Sequence, residues 1–129
     1  MISFKIMTWN VENLFPVGSI SGPKTQQEYD SKLEYLAKVI SEQKPDVIAL
    51  QEIGDQVPFA DLYNRVGIFT YKQLSARPDP RGLRVGIFSN LTMESSEEIV
   101  DFPQELPSVP GIDDKGNSVD ITRMGRGAL

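Results

Sequence analysis

The stretch Pro45-Asp46-Val47-Ile48-Ala49-Leu50-Gln51-Glu52 decides the fold. Val47 to Leu50 are all apolar, with no polar residue alternating between them. That is the pattern of a strand buried on both faces. Immediately upstream, Thr25-Gln26-Gln27-Glu28 has the form of a capping box, in which the threonine oxygen takes a backbone N–H and the glutamate reaches back. Tyr29, Leu33, Leu36, Ala37 and Ile40 then recur as one helical stripe. Lys44-Pro45 ends it, because proline disfavours helical geometry in the residue before it. Further upstream, residues 2–11 alternate. Ile2, Phe4, Ile6, Thr8 and Asn10 share one face, and Ser3, Lys5, Met7, Trp9 and Val11 the other. Strand, long helix and buried strand predict a βαβ unit: adjacent parallel strands near 3–10 and 46–52, joined by a helix near 26–43. Pro16, Gly18, Gly22 and Pro23 make residues 13–24 a loop.

Downstream, residues 57–66 suit a short helix with Pro58 in its first turn. Residues 69–76 and 83–89 read as strands joined by the turn Arg77-Pro78-Asp79-Pro80-Arg81-Gly82. A hairpin after a βαβ unit makes the sheet mixed. Met93 to Phe102 is expected as an edge strand, with the acids Glu94, Glu97, Glu98, Asp101 and Glu105 guarding it against pairing. Pro103, Pro107, Pro110, Gly111 and Gly116 mark 103–118 as a long loop or a wandering hairpin turn. Order returns at Asp120, with Ile121, Met124, Ala128 and Leu129. The last residues are apolar rather than polar and frayed, so Leu129 is expected to be a cut end.

Composition excludes whole classes of chemistry. The chain has 129 residues, 40% hydrophobic and 24% charged, ordinary for a globular domain. It holds no cysteine and no histidine. Disulfides, thiolate nucleophiles, cysteine zinc sites and imidazole bases are therefore absent from these residues. Catalysis would rest on carboxylates, amides, arginines and a hard metal ion. The net charge of −5 argues against tight non-specific nucleic-acid binding. No apolar run is long enough to span a membrane. The N-terminus lacks the apolar core of a signal peptide, so the chain reads as cytoplasmic or as expressed without its leader.

Asn10 ends the first strand and Glu52 the second. Ligands of open α/β sheets bind at the carboxyl ends of parallel strands. Strand parity places Asn10 in the row of Phe4, Ile6 and Thr8, and Glu52 in the row of Ile48 and Leu50. If the two strands are neighbours, amide and carboxylate meet at one edge, and the parity of these rows is taken to support this. Glu12 has the parity of Asn10. A carboxylate on such an edge suits Mg²⁺ (or Mn²⁺), which takes oxygen ligands, keeps waters and is completed by substrate phosphate. A solvated strand-end carboxylate and a turn asparagine fit the same spacing.

The strings themselves, Thr8-Trp9-Asn10-Val11-Glu12-Asn13-Leu14, then Pro45 to Glu52, then Arg84-Val85-Gly86-Ile87-Phe88-Ser89, resemble the endonuclease/exonuclease/phosphatase superfamily. This group includes exonuclease III- and deoxyribonuclease I-like nucleases, inositol polyphosphate phosphatases and neutral sphingomyelinases. The resemblance covers nearly the whole chain. It implies an α/β fold: half of a four-layer α/β sandwich, a mixed sheet with helices packed on one face. It implies Glu52 as the metal-binding glutamate, Asn10 as the active-site asparagine that helps organise metal and phosphate, and Glu12 as a weaker metal candidate. It also implies a phosphate-ester substrate, of which nucleic acid is one kind. The family's later motifs, an Asp-x-Asn after glycine and a terminal Ser-Asp-His, do not occur in this sequence. Residues 1–129 are thus expected to be the N-terminal part of a metal-dependent phosphoesterase, inactive alone. The alternatives are a binding or dimerisation module with the same half-fold, and an unrelated α/β domain with coincidental strings. An uncovered sheet face carrying Phe4, Ile6, Ile48 and Leu50 is expected to drive self-association.

Lesser signals are weaker. Lys72, Arg77, Arg81 and Arg84 surround one turn with only Asp79 opposing, which suits a solvated hairpin better than a phosphate-approach patch. Asp113-Asp114-Lys115-Gly116-Asn117 lacks the ligands of a calcium loop and reads as a polar turn.

Overall fold

Thr25 starts the long helix as its sequence dictates. In a computed structural model describing residues 1–129, its side chain accepts the Glu28 N–H at 3.2 Å. Glu28 accepts the Thr25 N–H at 3.2 Å in return. The helix α1 spans Gln26–Gln43 and ends at Lys44, whose left-handed backbone (φ 48°) returns its N–H to Ile40. It joins β1 (Ile6–Leu14) to β2 (Val47–Ile53), and these two strands pair in parallel. The second helix α2 (Gln56–Val66) is capped by Asp55 and stopped by Gly67, whose φ of 67° suits glycine. β3 (Tyr71–Leu74) and β4 (Arg84–Ser89) form the hairpin, and β4 pairs antiparallel with β2. The sheet order is β1-β2-β4-β3, mixed as expected.

Both helices cover one face of this sheet. Leu33, Leu36, Ala37 and Ile40 of α1 and Phe59, Leu62 and Val66 of α2 are buried in one core with Val11, Ile48, Leu50 and Phe88. Each such side chain contributes about 1.5–3 kcal/mol through its burial. Phe88 is the aromatic centre, with the Phe59, Tyr63 and Phe69 rings 4.9, 5.3 and 5.6 Å away.

Register corrects the expected inward row. Ile6 pairs with Val47 and Met7 with Ile48. Phe4 and Ile6 therefore belong to the opposite face from Ile48 and Leu50. The first two are 58% and 74% exposed, while Ile48 and Leu50 are fully buried beneath the helices. Val47 and Ala49 are only half-buried, so β2 is sealed on one face and partly covered on the other.

The remaining strands form two short ribbons. β5 (Ile99–Asp101) pairs with β8 (Arg123–Ala128), and β6 (Val109–Ile112) with β7 (Ser118–Ile121). The expected edge strand over 93–102 is thus reduced to three residues and belongs to a separate ribbon. The 103–118 segment contains β6 and the turn after it, where Asp113 accepts the Lys115 and Asn117 N–H groups at 2.9 and 2.8 Å. Ala128 and Leu129 line a cavity of about 200 Å³ with Ala49, Val85 and Ile87. The end of β8 thus lies over the open face of the main sheet. No helix is long and apolar enough to cross a membrane.

Candidate functional site

Two irregularities coincide where β1 and β2 end. β1 runs from Asn10 to Leu14 while its partner β2 runs only from Gln51 to Ile53. β2 in turn runs from Gln51 to Ile53 against Val85 and Arg84 of β4. The surplus residues are Glu12, Asn13 and Glu52, and all three hold left-handed backbone, with φ of 55°, 52° and 67°. Asparagine tolerates this region; glutamate does so at a cost of about 1–3 kcal/mol. Such strain persists only where surrounding contacts enforce it. Here the enforcing contacts are visible. The Glu12 N–H donates to Asn10 Oδ1 at 2.8 Å. The Lys32 ammonium, reaching from α1, donates to the Glu12 carbonyl. The Asn13 N–H donates to Glu52 Oε2 at 3.1 Å.

The structure brings Asn10 and Glu52 together, but not by shared parity. Asn10 pairs with Gln51 on the open face. Glu52 reaches the same edge because its bulge redirects it. The Asn10 amide is the largest influence on Glu52, and with the Asn13 N–H, Arg126 and Arg81 it outweighs burial and holds the carboxyl below the ordinary glutamate range. Since Asn10 Oδ1 is taken by the Glu12 N–H, its amide hydrogens face the carboxylate. Asn10 is therefore placed to orient Glu52. The Glu12 side chain is exposed, and its backbone rather than its carboxylate carries the bonds.

Two arginines complete the constellation. Arg81 Nη2 and Arg126 Nη2 stand 3.9 and 3.8 Å from Glu52 Oε1. They stand 3.5 and 3.0 Å from Asp79 Oδ2. Asp79 Oδ1 accepts the N–H groups of Arg81 and Leu83, both at 2.9 Å. Burial pushes the Asp79 carboxyl up, but the Leu83 N–H, the Arg126 guanidinium and the Arg81 N–H together hold it below its ordinary value. Burial likewise pushes the Lys32 ammonium below its ordinary value, against the opposing pull of Glu12 and Glu52. The Arg126 Nε–H is buried without an acceptor. Arg81 stays 64% exposed, as expected of a solvated hairpin residue, yet its guanidinium stands within reach of both carboxylates. Asp79, Arg126 and Lys32 escaped the sequence reading. Asp79 was visible as the lone acid among four bases, and Arg126 as a charge between two glycines in a strand. Nothing in the helical stripe distinguishes Lys32 from Lys38.

Comparison with protein families matches the model described as "Endonuclease/Exonuclease/phosphatase family" over residues 7–123. The chain belongs to the endonuclease/exonuclease/phosphatase family. Searches of curated proteins and of solved structures each returned no match. Members of this family are hydrolases that generally use divalent metals. No three acidic or imidazole side chains converge in this chain to form a complete metal cage. The Glu52 donor set nevertheless fits a hard cation. Oε2 is fixed by the Asn13 N–H, and Oε1 faces an edge where both nearby guanidiniums lie beyond hydrogen-bond reach. Mg²⁺ commonly needs only one or two carboxylates, with water and phosphate completing its shell.

Proposed function

We propose that these residues supply the N-terminal portion of the site of a divalent-metal-dependent phosphoesterase of nuclease or phosphatase type. The observation that carries this reading is the Glu52 carboxylate, raised on coincident bulges and facing two guanidiniums. Glu52 would hold Mg²⁺ or Mn²⁺, with Asn10 orienting the carboxylate and Glu12 at the rim. The ion, when bound, supplies Lewis-acid polarisation of a phosphoryl oxygen. Arg81 and Arg126 bind the other phosphate oxygens, where a forked guanidinium matches phosphate geometry. The Asn13 N–H and Lys32 keep the strained backbone that aims Glu52. The same chemistry serves a nucleic-acid phosphodiester or a small phosphate ester.

The exposed Glu12 carboxylate at the rim has no partner to tune it as a general base. Asp79 is committed to three donors, and the sequence has no histidine. Removing one member of a cooperative catalytic unit already costs orders of magnitude. The chain alone therefore binds metal and phosphate without turnover. Mn²⁺ titration followed by water-proton relaxation tests this, with hydrolysis of a bis-nitrophenyl phosphate measured alongside. One Mn²⁺ site, lost in Glu52→Gln, and no hydrolysis are expected. Absence of Mn²⁺ binding, or turnover at the rate of a complete enzyme, overturns it.

The open sheet face supports a second reading, association of the chain with itself. Phe4 and Ile6 stand exposed there beside half-buried Val47, Ala49 and Ile87.

A further inference from the structure

Arg126 is shared unequally between two carboxylates: its Nη2 lies 3.0 Å from Asp79 Oδ2 and 3.8 Å from Glu52 Oε1. Only the first is a hydrogen bond. Asp79 can hold that bond because it is itself immobile. Its side chain is 8% exposed, and two backbone N–H groups of its own loop fix its other oxygen. Arg81 shows the same preference, at 3.5 Å from Asp79 and 3.9 Å from Glu52. Two carboxylates and two guanidiniums make a neutral quartet. A guanidinium that left Asp79 would find its nearest partner in Glu52, and would close the one carboxylate oxygen that faces the site.

We propose that Asp79 is a positioning residue that holds Arg126, with Arg81, off Glu52, keeping the carboxylate open to a divalent cation and the guanidiniums ready for phosphate. This rests on the reading of Glu52 as the metal carboxylate. Asp79 is not a metal ligand in this scheme, since both its oxygens are engaged. Its neutralisation removes the anchor without removing the loop's backbone acceptor.

Mn²⁺ and inorganic phosphate affinities of the full chain test the inference, with the fold of each variant checked by circular dichroism. Asp79→Asn keeps an oxygen for the Arg81 and Leu83 N–H groups. It should weaken Mn²⁺ binding by about 10- to 100-fold, the usual effect of losing a group that orients a metal site. It should also abolish the tightening of phosphate binding by Mn²⁺. The double variant Asp79→Asn/Arg126→Gln should restore most of the Mn²⁺ affinity, because the nearer and less exposed guanidinium is gone and Arg81, 64% exposed, competes only weakly from solvent; loss of a purely structural role would not be rescued in this way. Unchanged Mn²⁺ affinity in Asp79→Asn overturns the inference, as does failure of the rescue. A loss as complete as in Glu52→Gln, unrelieved by the second substitution, makes Asp79 a ligand and also overturns it. If Asp79→Asn does not fold, the Arg126 guanidinium NMR signals of the wild type decide. They should persist on saturation with Mg²⁺ if Asp79 holds the group, and vanish if Glu52 does. A wild type with no Glu52-dependent Mn²⁺ site sinks the metal reading and this inference together. A normal wild type with an unaltered Asp79→Asn sinks the inference alone.

Discussion

Replacing Glu98 by glutamine tests how the loop that carries Asp79 and Arg81 is held. Glu98 Oε1 accepts the Ser75 hydroxyl and the Arg77 N–H at 3.1 Å, and Oε2 accepts the Ala76 N–H at 3.1 Å. Ser75 is buried. Hydrogen bonds to a charged acceptor contribute about 1.5–3 kcal/mol each, against about 0.5–1.5 kcal/mol for neutral ones. Across these bonds, and allowing for solvent screening at a half-buried carboxylate, Glu98→Gln should cost about 1–2 kcal/mol at pH 7. Burial pushes the Glu98 carboxyl up, but the Ser75 hydroxyl and the Arg77 and Ala76 N–H groups outweigh it and leave it below the ordinary range. A carboxyl lowered by folding contributes fully above its unfolded value of about 4.3 and loses that contribution as pH falls through the lower folded value. The gap between wild type and variant should therefore narrow as pH drops from 7 toward about 2.5. Urea unfolding across that range measures it. An equal penalty at every pH, or none at pH 7, would refute the reasoning.

Gly86→Ala would place a Cβ 2.6 Å from Cε2 of the buried Phe59, so overpacking should destabilise the chain by about 1–3 kcal/mol in the same unfolding assay. Thr25→Ala removes the acceptor for the Glu28 N–H and should cost about 0.5–2 kcal/mol, read as a lower thermal midpoint. Sedimentation over a concentration series should show self-association that Ile6→Lys weakens; a monomer of 14.4 kDa at all concentrations would refute the open face as a contact surface.

The βαβ unit was legible because each of its signals is local. The Thr25 cap, the stripe from Tyr29 to Ile40 and the apolar run from Val47 depend on neighbours within a few residues. The meeting of Asn10 and Glu52 at one edge was expected from the sequence, but the geometry that brings them together was not. Alternation assumes a regular strand, and it assigned Asn10 and Glu52 to rows that lie on opposite faces. They meet only because bulges at Glu12, Asn13 and Glu52 break the period, and no propensity marks glutamate for left-handed backbone. The acidic run misled for a different reason. Glu98 looks like its neighbours Glu94 and Glu97 in sequence, yet it alone turns inward to donors contributed by residues 75–77. Partners more than twenty positions away leave no local trace.

The backbone at position 52 would choose glycine. A φ of 67° carries no steric penalty without a Cβ, so Glu52→Gly should be more stable than Glu52→Ala by about 1 kcal/mol. A library of variants sorted only for folding would accordingly enrich glycine at this position and erase the carboxylate. With Glu52 as the proposed metal carboxylate, thermostabilising this chain by blind selection and keeping that site are opposed aims, and a stabilised version has to begin by holding residue 52 fixed.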